Sequence, residues 1–213
     1  PSNYVEGNAW QWAWFVPQDV EGLMQLVGGR KSFEAHLDTL FTTSSELTGD
    51  PNAAADVTGM IGQYAHGNEP SHHIPYLYNY AGAPRKTQAL VDHILRTLYH
   101  NDPNGLSGNE DVGQMSAWYV LASSGLYPIC PGDNRYEIAS PVFSEISFEV
   151  PATNKIFTIK AHNNSVENVY IQSAKLNGVN YNKCYLTHGD ILNGSTLELF
   201  MGDKPNEKWG LDP

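Results

Sequence analysis

The sequence predicts an α+β fold, with a helical half over residues 1–127 and a small antiparallel, sandwich-like β module over residues 128–213. Three observations carry this reading. Apolar residues recur with a helical period up to about Ser124 and alternate with polar ones after Pro128. Turn-forming pairs, Asn177-Gly178 and Asn193-Gly194 among them, cluster in the second half. The 213 residues are 41% apolar and 11% aromatic, a composition that can fill a real core.

In chain order, Val20, Leu23, Met24 and Val27 follow i, i+3, i+4, i+7, with Asp19 as N-cap and Gly28-Gly29 as the stop. Phe33, Leu37, Leu40 and Phe41 repeat the pattern, with Ser32 as the cap candidate. Residues 52–65 are Ala-rich and read as a weaker helix, because Gly59 and Gly62 interrupt it. Leu90, Val91, Ile94, Leu95 and Leu98 form a wide apolar stripe bounded by Pro84 and by Asp102-Pro103-Asn104-Gly105. Met115, Trp118, Tyr119 and Ala122 make a short helix that ends at Gly125. Cys130-Pro131-Gly132-Asp133 is the expected hinge. Beyond it, Ile146, Phe148 and Val150, then Phe157, Ile159 and Ala161, then Leu197, Leu199 and Met201 alternate as strands do, and His188-Gly189-Asp190 adds a further turn.

Composition excludes some functions. The net charge is −11, from 23 acids and 12 bases, and no cluster of Lys and Arg offers a phosphate-binding face, so nucleic acid is not an expected partner. No apolar run approaches the roughly 20 residues of a membrane helix, so no membrane span is expected. The first eight residues have neither a basic nor an apolar leader segment and no initiator Met, which reads as a mature or truncated chain. Cys130 and Cys184 have no metal-ligand spacing, and a disulfide or two free thiols are both open.

Chemistry-bearing residues gather in three segments of the helical half, outside its apolar stripes. Glu6 is followed by Asn8 and by Trp10, Trp12 and Trp14 at alternate positions. Aromatic faces stack on sugar C–H surfaces, amides bind hydroxyls, and a carboxyl transfers protons. The plain alternative is a core segment with a capping Glu. Gly67-Asn68-Glu69-Pro70-Ser71-His72-His73 puts a carboxylate, an amide and two imidazoles in seven residues. The oxygens suit a hard cation such as Ca²⁺ and the imidazoles suit zinc, while the plain alternative has Ser71 as a cap and Glu69 in solvent. Adjacent helical His residues point about 100° apart, which weakens a zinc hydrolase built on His72, His73 and Glu69. The segment from Gly105 to Tyr119 places two adjacent acids, Glu110 and Asp111, in a glycine-rich loop feeding a helix, where the helix dipole favours negative charge. Two acids on separate loops, Glu6 and Asp111, match the acid and base of an inverting glycosidase.

The blocks Glu6-Gly-Asn-Ala-Trp-Gln, Trp14-Phe-Val-Pro-Gln-Asp-Val, Gly67-Asn-Glu-Pro-Ser-His-His and Gly108-Asn-Glu-Asp-Val-Gly-Gln-Met-Ser-Ala-Trp-Tyr-Val resemble the signature blocks of glycoside hydrolase family 92. The resemblance continues through Gly125-Leu-Tyr-Pro to Pro205-Asn-Glu-Lys-Trp-Gly and covers nearly the whole chain. It implies a Ca²⁺-dependent, inverting exo-α-mannosidase that removes terminal α-linked mannose from mannose-containing glycans. It also implies that this chain is a C-terminal piece, made of the last helices of an (α/α)₆ barrel and the strands after them, which partners the missing N-terminal part of the same polypeptide. A periplasmic or secreted bacterial location follows from the same resemblance.

Carried over residue by residue, the resemblance makes Glu6 the general acid, held protonated by burial among Trp10, Trp12 and Trp14. Asp111 becomes the general base, with the two carboxyls about 6.5–9.5 Å apart. Trp10, Asn68, Glu69, His72 and Asn109 become sugar-binding residues, and Glu69 a metal ligand. Asn109 stands where some members carry a second acid, and Asn68 where α-1,2-specific members carry His, so neither a shared base nor that linkage preference is implied. The alternative of another class is a non-catalytic carbohydrate-binding or structural module.

Overall fold

The computed structural model describes residues 4–47 and 57–212. Its helical half begins with α1 (Ala9–Trp12), α2 (Val20–Leu26) and α3 (Arg30–Thr42). Asp19 caps α2 as expected, its Oδ1 accepting from the Gly22 amide at 2.8 Å. α3 starts two residues before Ser32, with Gly29 at the cap. Ser32 therefore lies inside the helix, because Gly29 at φ 87° already makes the turn that a cap needs. Phe33, Leu37 and Leu40 are the buried face of α3.

The expected helix over 52–65 is not formed where the chain is described. Residues 52–56 lie outside the described residues, and β1 (Met60–Ile61) pairs antiparallel with β2 (Tyr64–Ala65). Gly62 turns this hairpin at φ 59°, where an added Cβ would meet the Leu40 carbonyl oxygen at 2.4 Å. Two short 3₁₀ turns, Glu69–Ser71 and Ile74–Tyr76, lead into α4 (Leu77–Tyr80). α5 (Pro84–Thr97) buries Val91, Ile94 and Leu95, and α6 (Gln114–Ser123) buries Met115, Trp118 and Ala122 before Gly125 ends it at φ 87°.

The second half contains two sheets. β3 (Leu126–Tyr127), β4 (Arg135–Ile138) and β9 (Tyr185–Thr187) form one. The Cys130–Asp133 segment, expected as a hinge, is the connection between β3 and β4. The other sheet is β5 (Glu145–Val150), β6 (Lys155–His162), β10 (Thr196–Gly202), β7 (Tyr170–Leu176) and β8 (Val179–Asn180), in that order. β10 is inserted between β6 and β7 and runs parallel to β6, so this sheet is mixed rather than antiparallel. The register Ile159↔Leu197 and Ala161↔Leu199 stacks the apolar sets of both strands on one face, and that shared burial favours the insertion. His188-Gly189-Asp190 is the start of α7 (His188–Leu192) rather than a turn. Thr187 Oγ1 accepts from the Asp190 amide while Asp190 Oδ2 accepts from the Thr187 amide, a reciprocal cap that starts a helix. Cys130 and Cys184 are free thiols, and Cys184 is buried.

Two apolar clusters result. Trp14, Phe33, Leu37, Tyr76, Ile94 and Trp118 belong to the helical one, and Phe157, Ile159, Ile171, Leu186 and Leu199 to the other. The seam between them is polar. Glu137, fully buried on β4, pairs with Arg135 and accepts from Asn79 Nδ2 of α4 at 2.8 Å. The Arg135 guanidinium lies over the rings of Tyr80 and Tyr185 at 4.2 and 4.0 Å.

Candidate active site

Three irregular segments bring their acids to one cavity of about 430 Å³, lined by Glu6, Gly67, Asn68, Glu69, Gly108, Asn109 and Asp111. Each segment is fixed by its neighbours. Asn8 caps α1 and is bonded in return by Gln11, whose Nε2 also donates to the Gln63 carbonyl of the hairpin. Trp12 Nε1 donates to the Val5 carbonyl at 3.0 Å. These bonds hold the chain on both sides of Glu6. Asn68 is the strut between the first two segments. Its Nδ2 donates to the Glu6 carbonyl, and its Oδ1 accepts from the Glu69 amide at 3.2 Å.

The two acids of the third segment divide their work. Glu110 accepts from Ser116 N at 3.1 Å and from Ser116 Oγ at 3.0 Å, which caps α6. Asp111 is left to face the cavity. Both Glu6 (φ 54°) and Asp111 (φ 51°) adopt the left-handed backbone region, as does Val112 (φ 55°). Such a conformation costs a residue with a side chain about 1–2 kcal/mol, and it recurs at functional sites.

Glu69 is the carboxyl that feels both others. Burial raises its pKa first, a backbone hydrogen bond partly offsets this, and the neighbouring carboxyls of Asp111 and Glu6 raise it further. Like charges gathered in one cavity disfavour the ionised form. Glu69 also borders a second cavity of about 300 Å³, shared with Phe15, His72, His73, Gln114 and Trp118.

Of the residues expected from sequence, Glu6, Asn68, Glu69, Asn109 and Asp111 meet in the carboxylate cavity, while Trp10 and His72 do not. Trp10 is 41% exposed and does not line it. Glu6 is exposed rather than buried among tryptophans. The indoles are used elsewhere: Trp14 is buried against Phe33, and Trp12 packs edge-on to Phe15. His72 and His73 are spent on the backbone. His72 Nε2 donates to the His66 carbonyl at 3.0 Å and His73 Nε2 to the Trp14 carbonyl at 2.7 Å. Burial lowers both imidazoles to about 4, so both are neutral struts. Ser71, offered as a cap, has a buried hydroxyl without a partner, and Asn68 caps the turn instead.

Sequence reasoning missed His66. Its ring is bonded to Tyr64 and Tyr99 at 2.7 Å each, packs edge-on against Trp118 and lies 5.1 Å from the His72 ring. No spacing pattern marks it, because its partners lie two, 33 and 52 positions away.

The chain is 36% identical over 207 residues to an uncharacterized secreted glycosidase of Arthroderma benhamiae, covering 96% of this chain and 24% of that protein. A family GH92 α-mannosidase of Bacteroides thetaiotaomicron, solved with mannoimidazole, superposes with a TM-score of 0.90 at 43% identity, over 97% of this chain and 27% of that one. A family GH92 inverting mannosidase of the same organism superposes with a TM-score of 0.85 at 39% identity, over 99% and 29%. The chain thus spans about a quarter of the length of these relatives. With the model of the glycosyl hydrolase family 92 catalytic domain matching residues 1–203, the chain belongs to that family.

Proposed function

We propose that this chain carries the acid–base apparatus of an α-mannosidase that hydrolyses terminal α-linked mannose with inversion, as the C-terminal part of a longer, exported polypeptide. The observation that carries the reading is the convergence of Glu6, Glu69 and Asp111 on one cavity from three separate segments. Glu6 protonates the glycosidic oxygen and Asp111 deprotonates water on the opposite sugar face, with the carboxyls about 6.5–9.5 Å apart in the whole enzyme. Asn68 and Asn109 offer amides to sugar hydroxyls. That the structural neighbours are mannosidases and the Arthroderma relative a secreted glycosidase supports the substrate class and the export.

The donor chemistry suits Ca²⁺, because the cavity is lined by carboxylate and amide groups and neither His72 nor His73 lines it. Among the described residues no three acidic, His or Cys groups are placed to hold one ion. In this proposal Glu69 is one ligand, and the rest of the polypeptide, water and the sugar complete the shell. A bound Ca²⁺ would supply a hold on sugar hydroxyls that favours a flattened ring.

The test uses the full-length enzyme and two substrate types. Glu6→Gln lowers turnover of mannosides with poor leaving groups about 10²–10⁴-fold and spares activated aryl mannosides, since a good leaving group needs little protonation. Asp111→Asn depresses both. Equal losses on both substrates for Glu6→Gln, at an unchanged melting temperature, would refute the acid role. The raised Glu69 carboxyl favours a second reading in that event: Glu69 is the proton donor. A longer enzyme that stays active when these residues are changed would leave the chain as a non-catalytic module.

A further inference from the structure

The two segments that carry Glu69 and Asp111 meet through backbone. Gly67 and Gly108 sit at the crossing, and Thr58 lies against both. A Cβ at Gly67 would stand 1.9 Å from Thr58 Oγ1 and 3.1 Å from the Ser107 carbonyl oxygen. A Cβ at Gly108 would stand 2.7 Å from the Gly67 carbonyl oxygen and 3.0 Å from Thr58 Oγ1. Gly59 belongs to the same knot, where a Cβ would lie 2.8 Å from Ser107 Cβ. The Gly67 amide donates to the Thr58 carbonyl at 3.0 Å, and the His66 amide to the Gly59 carbonyl at 3.1 Å.

Gly108 has a left-handed φ of 76°, which by itself favours glycine. Gly67 does not, so space alone demands glycine there. Thr58 Oγ1 is buried and makes no hydrogen bond. The Gly67 hydrogen that a Cβ would replace points at this oxygen, a weak Cα–H···O contact. The hydroxyl is thus a spacer between the two loops rather than a hydrogen-bonding group.

We propose that Gly67, Gly108 and Thr58 are positioning residues that set the spacing of the Glu69 and Asp111 carboxyls across the cavity. The proposal rests on the acid–base reading above: the Gly67 segment also carries Asn68, whose amide holds the Glu6 carbonyl, so a shift of that segment moves Glu6 as well as Glu69 against Asp111. Glu69 lies two residues after Gly67 and Asp111 three after Gly108, with no helix or strand between to absorb a displacement. A methyl group at Gly67 has to push Thr58 out or lift one loop off the other. Either movement changes the gap between the carboxyls, and a misplacement near 1 Å can cost about 10²-fold in rate.

The experiment measures kcat and KM on an α-mannoside for the full-length enzyme and for Gly67→Ala, Thr58→Ala and the double variant. Gly67→Ala should lose about 10²-fold in kcat with KM changed by less than about threefold, the mark of misplaced chemistry rather than lost binding. Removing Oγ1 deletes the 1.9 Å clash, so the double variant should recover to within about tenfold of Thr58→Ala. A fully active Gly67→Ala overturns the proposal, and so does a folded double variant further down than that. If Gly67→Ala alone does not fold, the double variant against Thr58→Ala decides by the same threshold. A wild-type enzyme inactive on every α-mannoside would instead overturn the acid–base reading itself, and this proposal with it.

Discussion

The two halves of the chain use left-handed backbone differently. Among the described residues of the sheet half, the side-chain-bearing residues with positive φ are Asn154, Asn163 and Asn177. Asparagine tolerates this region because its short amide bonds locally. In the helical half they are Glu6, Asp111 and Val112. Aspartate shares that tolerance, but Glu6 and the β-branched Val112 do not, and two of the three are the proposed acid and base. Both halves hold irregular chain through side-chain bonds to distant backbone. Thr87, His72, His73, Asn68 and Trp118 of the helical half donate from the side chain to backbone carbonyls six to 62 positions away. In the sheet half Asn163, Asn164 and Trp209 do the same over 22 to 38 positions, but the buried polar residues among those described there are few, Glu137, Ser140 and Ser195. The difference in backbone locates conformational strain around the cavity.

The largest expected effect is acid lability confined to the helical half. His72 and His73 are lowered to about 4 by burial, whereas His162 and His188 of the sheet half are exposed. Between about pH 6.5 and 4 the unfolded chain takes up these protons and the folded chain does not. Stability is therefore complete above about pH 7 and falls as pH drops, by about 3 kcal/mol for each imidazole at pH 4. Glu137 and Asp92, raised by burial, act in the opposite sense, so the useful quantity is a difference. His73→Asn, which can still donate toward the Trp14 carbonyl, should lose about 3 kcal/mol less than wild type between pH 7 and 4 in denaturant titrations. Parallel curves would refute the neutral-strut role.

Next in size is the seam. Glu137→Gln leaves the Arg135 guanidinium without its buried partner and should cost about 3–5 kcal/mol of stability while sparing kcat of the folded enzyme. A loss under about 1 kcal/mol would mean that water reaches the pair. The struts come third. Asn68→Ala and Asn164→Ala each remove an amide bonded to distant backbone, Asn164 to the Pro141 and Val142 carbonyls at 3.1 Å. Each should cost about 1–3 kcal/mol. Asn68→Ala should also slow turnover about 10²-fold, because it releases Glu6 from Glu69. Equal turnover in both variants would dissolve the contrast between the halves.

These features also mark how far the sequence could be read. The buried faces of α3, α5 and α6 and the alternation of β5, β6 and β10 follow from the period of apolar residues, which burial enforces. The cap at Asp19 was legible, but α7 was hidden because Thr187 and Asp190 form their reciprocal cap around a glycine that looks like a turn. The parallel pairing of β6 and β10 is a long-range choice with no local mark. At the site, the acids were legible as residues standing outside the apolar stripes, and the motif blocks grouped them. Their supports were not. Gln11, His66 and Thr58 act on segments up to 52 positions away, through single bonds or single contacts that leave no periodicity.

The smallest effect tests the strain itself. Val112 is fully exposed, so replacing it removes no buried contact. Its φ of 55° is costly for a β-branched side chain and free for glycine. Relief of about 1–2 kcal/mol is partly offset by the greater freedom of glycine in the unfolded chain, about 0.5–1 kcal/mol. Val112→Gly should therefore raise stability by up to about 1 kcal/mol, read as a small rise in melting temperature. The matched control in the sheet half is Asn177→Val, at φ 52° beside Gly178, which should lower stability by a similar amount or more. Asn177 also accepts from the Thr196 amide at 2.9 Å, and valine cannot replace that bond. If Val112→Gly leaves the melting temperature unchanged or lowers it, the loop after Asp111 is not strained, and the difference in backbone between the halves carries no energy.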